Sequence, residues 1–206
     1  MGTKGFVGAG NLQPGIEYLD VVTRDDRVRG IASYDNMHLY GYRHRVVHIL
    51  VFKDDTLQDL LLPMRSRKKR LGGLCFHSSV AGHVRHGEDY WEAGYREAKE
   101  EIFYGLDECP PNFTLSQDGT TIKNNSDRGR NNELAKILTA VYEGPFRYNP
   151  EEVVERATGW ENIHQIKEEI DDRITRARYT IDFRNVFLTW YGGNRIHKGI
   201  QKNRHL

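Results

Sequence analysis

Alternating apolar and polar positions predict β-strands through the first third of the chain. From Ile16 onward, two apolar runs flank the polar residues 24–27, which is the pattern of a β-hairpin. The segment 44–53 is rich in β-branched residues and has the length of a strand that is buried on at least one face. A polar turn follows it, and the segment 57–64 is its predicted antiparallel partner.

The middle of the chain combines strands with one helix and one long loop. Residues 74–84 are predicted to form a strand, and a helical period begins soon after it. The polar segment 107–132 contains adjacent prolines and many asparagines, so it is predicted to be a loop, with a short strand at 112–115 as an option. Residues 133–142 return to the pattern of a strand.

Two helices are predicted in the C-terminal third. The first has apolar residues at spacings of three and four, as on one face of an amphipathic helix, at Ile163, Ile166, Ile170, Ile174 and Ala177. The second has an apolar face made of Phe183, Val186, Phe187, Trp190 and Tyr191, and the pair Gly192-Gly193 is expected to end it. Strands early, one helix between them and helices late predict an α/β fold arranged as an α/β/α sandwich.

Length and composition add few constraints to this layered fold. The 206 residues suffice for one domain, predicted to span 16–206 after a glycine-rich, flexible lead-in at 1–15. The net charge of +1 gives no overall attraction to nucleic acid or to an anionic membrane. Only two cysteines, no apolar run of ~20 residues and no signal-peptide pattern predict a cytoplasmic protein with no membrane partner.

The candidate chemistry lies in residues 82–106. At ~100° per residue, a helix here places Glu97, Glu100 and Glu101 on about a third of its circumference. Carboxylates this close repel one another, so a cation is expected among them, and hard oxygen ligands favour Mg²⁺ or Mn²⁺. The alternative is an ordinary solvated helix face, paired in part with neighbouring cationic side chains.

Both ends of this helix are marked in the sequence. Asp89, with Glu92 three residues later, fits an N-cap with a capping box, and Gly105 is expected to end the helix. A stripe of small and apolar residues that would pack on a core comprises Trp91, Gly94, Tyr95, Ala98 and Ile102. The helix is therefore expected to be anchored by one face and to present acid on another.

The spacing of these residues resembles the Nudix box, GX5EX7REUXEEXGU. Gly82 is followed after five residues by Glu88, and after seven more by the run 96–101, REAKEE. The closing glycine of the box would fall on Phe103, whereas here Gly105 comes two residues late, as if the helix were slightly lengthened. The resemblance implies a mixed β-sheet between helices, with the box as a loop-helix-loop motif that carries the metal.

Outside the box, residues 16–160 resemble the hydrolases that are similar to isopentenyl-diphosphate isomerase. The segments that carry this resemblance are EYLDVV at 17–22, YRHRVVH at 42–48, MRS at 64–66 and SVAGHV at 79–84. The isomerases have a catalytic cysteine two residues before a metal-binding histidine, whereas the corresponding triplet here is Ala81-Gly82-His83. Their Glu-x-Glu pair matches Asn131-Asn132-Glu133, so isomerisation is a minor alternative.

The Nudix resemblance implies a hydrolase that cleaves a nucleoside diphosphate, or another diphosphate, linked to a group X. The implied metal ligands are the carboxylates and one backbone carbonyl of Glu88, Glu97, Glu100, Glu101 and Gly82, and the implied ion is Mg²⁺, with Mn²⁺ as an alternative. Arg96 is expected to orient the carboxylates, because a guanidinium cannot bind a cation. The general base varies in the family, which leaves three candidates, Glu101, Glu100 and Glu133.

Histidines and basic residues add further candidates. The spacing of His38, His44, His48, His77, His83 and His86 fits no closed zinc site, and hydrogen-bonded structural histidines are the commoner case. His44 and His83 are the exceptions, because the isomerases use matching positions for metal; His83 is also a candidate substrate-binding residue. Arg65 is a candidate phosphate ligand at the start of the basic run 65–70, which could otherwise be a localisation patch or a solvated loop.

Two functions from different classes follow. The complete carboxylate set favours a Mg²⁺-dependent hydrolase whose partner is a small-molecule diphosphate. The two basic segments, 65–70 and 195–206, favour a non-catalytic module on the same fold that binds a ligand or RNA. The sequence leaves the identity of X open, and it leaves a homodimer open as well.

Overall fold

The chain forms two β-sheets with α-helices packed against them. A computed structural model describes residues 3–69, 71–126 and 130–202. The strands and helices are β1 (Phe6–Val7), β2 (Tyr18–Val22), β3 (Val28–Ser33), α1 (Tyr34–Tyr40), β4 (Arg43–Phe52), β5 (Asp59–Leu62), β6 (Val80–His83), α2 (Tyr90–Glu101), β7 (Thr120–Ser126), β8 (Asn131–Val141), β9 (Gly159–Asn162), α3 (Ile163–Asp171) and α4 (Ile181–Lys202). None of the helices in these ranges is both long and apolar enough to cross a membrane.

The larger sheet is mixed and has β4 at its centre. Its strand order is β7-β8-β4-β5-β9, and β6 also pairs with β4. The β4–β8 pair is parallel over ten residue pairs, from Arg43↔Asn132 to Phe52↔Val141, and the other pairs are antiparallel. Together with the helices, this mixed sheet confirms the predicted α/β/α sandwich.

Strand β4 supplies side chains to both layers of the core. Val47, Ile49 and Val51 pack in the cluster that includes the buried face of α2. Leu50 and Phe52, on the opposite face, pack with residues of α3 and α4. Because successive side chains of a strand point to opposite faces, a strand between two helical layers needs apolar residues at nearly every position. This requirement explains the almost continuous apolar run from which β4 was predicted.

Helix α2 begins as the sequence predicted. The Asp89 side chain accepts hydrogen bonds from the backbone N–H groups of Trp91 and Glu92, both at 2.8 Å. The Glu92 side chain accepts in return from the Asp89 N–H at 2.8 Å, which completes the capping box. The apolar stripe is anchored too, since Ala98 and Ile102 are fully buried.

The end of α2 differs from the prediction. The helix ends at Glu101, so Gly105 does not end it and the helix is not lengthened. Backbone hydrogen bonds from Arg147 N–H to Ile102 O (2.9 Å) and from Tyr104 N–H to Arg147 O (2.8 Å) draw the chain out of the helix. Phe103 is fully buried immediately after this exit. Pairing with a distant segment therefore ends the helix before the glycine is reached.

Three predicted elements have different bounds. The strand predicted at 74–84 is limited to Val80–His83. The loop predicted at 107–132 contains β7, which pairs along β8, whereas the optional strand at 112–115 is reduced to one isolated bridge at Leu115. The first C-terminal helix ends at Asp171, because the Asp172 side chain accepts from the Ile174 and Thr175 N–H groups, both at 2.9 Å, and a 3-10 turn follows.

Other differences from the prediction lie elsewhere in the chain. Helix α4 continues through Gly192-Gly193, which do not end it. Helix α1 and strand β9 were not predicted. In the segment 1–15, predicted as a flexible lead-in, Phe6–Val7 pairs with β3. The ring of Phe6 lies directly over Gly30, where an added Cβ would come within 2.3 Å of a ring carbon.

Candidate active site

Arg96 holds the acidic residues of α2 and its preceding loop in one cluster. Its Nε donates to Glu88 Oε1 at 2.6 Å and its Nη2 donates to Glu88 Oε2 at 2.9 Å. Its Nη1 donates to Glu97 Oε1 at 2.6 Å, and Nη2 also reaches the His83 carbonyl oxygen at 2.7 Å. One guanidinium thus joins α2, the loop and the end of β6, and it is placed to orient two carboxylates.

Glu97 lies directly against the backbone of Gly82. A Cβ atom added to Gly82 would come within 1.9 Å of the Glu97 carboxyl carbon. The Glu97 side chain is 12% exposed, and burial raises the pKa of its carboxyl to about 7 despite the neighbouring charge of Arg96. Glycine at 82 is therefore what admits this carboxylate to the edge of β6.

Glu101 is the most deeply buried carboxyl of the cluster. It is 5% exposed, and its Oε2 is buried with no hydrogen-bond partner among the described residues. Burial raises its pKa well above the usual range, and the charges of Glu97 and Glu152 add to this effect, whereas Arg65 and Lys69 oppose it. An orphaned carboxylate oxygen beside a second buried carboxylate is a donor set that fits a hard divalent cation such as Mg²⁺ or Mn²⁺.

Glu88 and Glu100 are placed differently from these two residues. Both oxygens of Glu88 already accept hydrogen bonds from Arg96, and Oε2 also accepts from the Arg85 N–H at 3.0 Å. Glu100 is 43% exposed and pairs with the Arg85 side chain at 3.4 Å. Glu97 and Glu101 are therefore better placed than Glu88 to bind a metal ion, with Glu100 at the more open side.

A cleft of about 1050 Å³ lies in front of these carboxylates. The basic segment contributes Arg65, Lys68 and Lys69 to its lining. Lys69 forms an ion pair with Glu152, and Arg65 donates from Nε to the Leu71 carbonyl oxygen at 3.2 Å. The predicted phosphate ligand Arg65 thus lines the same cleft as the acidic cluster. Arg70, and the side chains of the basic segment 195–206, lie outside the described residues.

Glu133 lies on β8, across from His44 in the β4–β8 register. Its carboxylate accepts hydrogen bonds from Asn131 Nδ2 at 2.6 Å and from Asn124 Nδ2 at 3.4 Å. Burial, followed by the nearby charge of Asp182 from α4, raises the pKa of Glu133 to about 7. The structure therefore brings this candidate base into the lining of the cleft, but in a separate set of hydrogen bonds.

Three histidines from different elements converge next to Glu133, whose register partner is His44. One ligand nitrogen each of His38, His44 and His83 lie within 4.8 Å of one another. His44 is held by a contact of 3.0 Å between Nδ1 and the Tyr42 carbonyl oxygen, and burial lowers its pKa to about 4. The Nε2 atoms of His44 and His83 are buried without a hydrogen-bond partner among the described residues. Neutral imidazoles in this arrangement could hold a transition metal.

The sequence did not show this convergence. The three histidines come from α1, β4 and β6, so their spacing along the chain matches no closed zinc site. The signal that pointed to His44 and His83 was the isomerase resemblance, whereas His38 lies on the unpredicted helix α1. Asp182, which acts on Glu133 and lines the cleft, carried no sequence signal at all.

Comparison with known proteins gives the family context of this cleft. A model of the NUDIX domain family matches residues 42–183. An uncharacterized Nudix hydrolase of Nostoc sp. is 38% identical over 88 residues, which cover 42% of this chain and 51% of that protein. An isopentenyl-diphosphate Delta-isomerase of Pectobacterium atrosepticum is 29% identical over 136 residues, which cover 65% of this chain and 70% of that protein. The chain thus spans about half the length of the Nostoc relative.

Solved structures share the fold. A Deinococcus radiodurans protein superposes with a TM-score of 0.65 at 21% identity, covering 84% of this chain and 98% of that one. A MutT protein from Methanosarcina mazei gives a TM-score of 0.54 at 15% identity, covering 74% of this chain and 95% of that one. Identities this low show a common fold and nothing more.

Proposed function

The chain belongs to the Nudix family, and from that premise we propose that it is a divalent-metal-dependent hydrolase of a diphosphate linkage, in a nucleoside diphosphate-X or a related substrate. The observation that carries this proposal is the buried Oε2 of Glu101, which has no hydrogen-bond partner within the described part of the chain and lies near the charge of Glu97. Glu101 is buried and Glu97 is 12% exposed, and both pKa values are raised, so the charged forms of these carboxyls are unfavourable unless a cation stabilises them.

The residues that line the cleft have two proposed roles. Glu97 and Glu101, with Glu100 and the carbonyl of Gly82, would hold Mg²⁺ or Mn²⁺. That ion would neutralise charge on the phosphoryl oxygens and lower the pKa of the attacking water. Arg65, which lines the same cleft, would bind a phosphate of the substrate by charge-assisted hydrogen bonds.

The general base is proposed among Glu101, Glu100 and Glu133. A base should have a pKa near the working pH, and burial places the pKa of Glu133 at about 7. Glu100 is half-exposed and is tied to Arg85, so its position depends on a surface pair. Glu101 is assigned first to the cation, because its second oxygen has no other partner among the described residues.

Isomerisation is disfavoured by Ala81. This residue lines the cleft at the position where the resemblance places the catalytic cysteine of the isomerases, and a methyl group cannot transfer a proton. We also propose a cytoplasmic location, with which the two free thiols, Cys75 and Cys109, are compatible.

A substrate panel tests the function. Phosphate or nucleotide release would be measured with nucleoside diphosphate sugars, dinucleoside polyphosphates and prenyl diphosphates, each with Mg²⁺, Mn²⁺ or Zn²⁺. We expect Glu101→Gln to lose at least 100-fold in kcat/KM, because removal of one carboxylate charge weakens the cation site. Glu143→Gln, at an exposed glutamate outside the cleft, is the matched control and should keep full activity. Equal turnover by wild type and Glu101→Gln would reject the proposed mechanism.

A further inference from the structure

Two histidines outside the acidic and triple-histidine clusters line the cleft. His48 lies on β4 and His77 lies in the segment before β6; they are 7% and 4% exposed. Nδ1 of His48 is 2.9 Å from Oγ of Ser78, and this contact fixes its ring. His77 differs, because neither of its ring nitrogens has a hydrogen-bond partner among the described residues.

The backbone around His77 is held on two sides. Its own N–H donates to the Pro63 carbonyl oxygen at 3.2 Å, beyond the end of β5. The preceding residue, Phe76, donates to Arg178 O at 2.7 Å and accepts from the Thr180 N–H at 2.9 Å, just before α4. The backbone that carries the imidazole is therefore held before any ligand arrives, which favours selective recognition.

His77 is a neutral ring in this position. Burial, and then the charges of Arg65, His48 and Lys69, hold its pKa well below the usual value. A neutral imidazole offers one N–H donor and one nitrogen acceptor. A buried donor and acceptor that both lack partners are unfavourable, so a ligand group that meets both is expected to bind here.

Arg65 connects this histidine pair with the acidic cluster. Its charge lowers the pKa of His48 and His77, and it also acts on Glu101. Arg65, the two histidines and Glu101 all line the same cleft. If Arg65 binds one phosphate of the substrate, the group attached to that phosphate lies next to the imidazoles.

We propose that His77, supported by His48 and Ser78, forms a hydrogen-bonding subsite for the X group of the substrate, and that X is a hydroxylated sugar or a nucleoside. This inference rests on the proposed diphosphate hydrolase. A sugar or a nucleoside carries several hydroxyl groups, so one of them can accept from the ring N–H while another donates to the second ring nitrogen. A hydrocarbon chain leaves both unmet, and a site built for hydrogen bonds rejects such a substrate strongly.

The test is the ratio of the kcat/KM values for two substrates. For wild type and His77→Leu, kcat/KM would be measured with ADP-ribose and with geranyl diphosphate, which carries a hydrocarbon chain and neither a sugar nor a nucleoside. We expect wild type to prefer ADP-ribose, and His77→Leu to lower the ratio at least tenfold. His77→Gln, which retains a donor and an acceptor, should restore part of it. His164→Leu, outside the cleft, is the matched control and should keep the wild-type ratio.

A ratio that stays within twofold of wild type in His77→Leu, or a wild type that prefers geranyl diphosphate, would overturn the inference while hydrolysis itself stands.

A binding measurement covers the opposite case, in which no substrate is hydrolysed. Calorimetric titration with α,β-methylene-ADP and with methylenediphosphonate would then show whether the nucleoside part adds affinity. Tighter binding of α,β-methylene-ADP that is lost in His77→Leu supports the subsite without the hydrolase. Equal binding by both variants rejects the subsite.

Discussion

Replacing Gly82 with alanine is expected to remove activity by displacing one carboxylate. The new Cβ atom would lie 1.9 Å from Cδ, 2.1 Å from Oε1 and 2.4 Å from Oε2 of Glu97. Ordinary carbon contacts lie near ~3.5 Å, so the carboxylate must retreat by about 1.5 Å. Its 2.6 Å hydrogen bond with Arg96 cannot survive that shift unchanged.

The expected loss follows from this displacement. A misplacement of ~1 Å in a positioned catalytic group costs on the order of 100-fold in rate, so kcat/KM of Gly82→Ala should fall by about 100-fold or more. Overpacking costs about 1–3 kcal/mol, so the free energy of unfolding should also fall, but the protein should remain folded. Mn²⁺ affinity, measured by calorimetry, should drop together with activity.

Gly159→Ala is the matched control for this variant. Gly159 also lies in a strand, and an added Cβ there meets no atom within 4 Å. We expect near-normal activity and Mn²⁺ affinity in this control. The reasoning is refuted if Gly82→Ala keeps activity within threefold of wild type, or if both alanine variants lose activity equally.

Three further predictions follow from the same contacts. Arg96→Lys should lose about 10- to 100-fold in kcat/KM, because an ammonium cannot reproduce the paired contacts with Glu88; unchanged kinetics would contradict the orienting role. Asp89→Ala should destabilise the protein by about 1 kcal/mol in urea unfolding with activity retained, because the cap is exposed and lies away from the cleft; a change below ~0.3 kcal/mol would contradict it. The pKa of His48 is lowered from 6.5 to about 4, so the unfolded chain takes up a proton below pH 6.5 while the folded chain does not. The free energy of unfolding should therefore fall by up to about 1.4 kcal/mol per pH unit as the pH drops from 6.5 towards 4. Urea unfolding of wild type and of His48→Asn across this range should show a weaker dependence of this free energy on pH in the variant.

The parts that the sequence predicted are those specified by local patterns. Helix α2 has its capping box, its apolar stripe and its acidic face within one continuous segment, and β4 has an apolar run that both helical layers require. The carboxylates of the candidate site were accessible to prediction for the same reason, since helical spacing alone brings Glu97 and Glu101 together.

The parts that were missed depend on distant segments. Helix α2 ends where Arg147 pairs with Ile102, and a local pattern cannot show that contact. Strand β7 is polar and is ordered by pairing along β8. Helix α1 has seven residues, of which only Met37 is buried, and one apolar position is too few to reveal a helical period in the sequence. The histidine cluster could be predicted only if the relative positions of three elements were known together.

The register of strand β4 positions both core residues and a residue that lines the cleft. His48 and the residues Leu50 and Phe52 alternate with Val47, Ile49 and Val51, which pack towards α2. A one-residue deletion ahead of His48 would exchange the two faces over the rest of the strand. Imidazole would then enter the apolar layer, and isoleucine would replace it at the wall of the cleft. A change of register in β4 would therefore affect the packing of the core and the wall of the cleft together. Insertions and deletions near this strand should be tolerated only in the loops on either side of it.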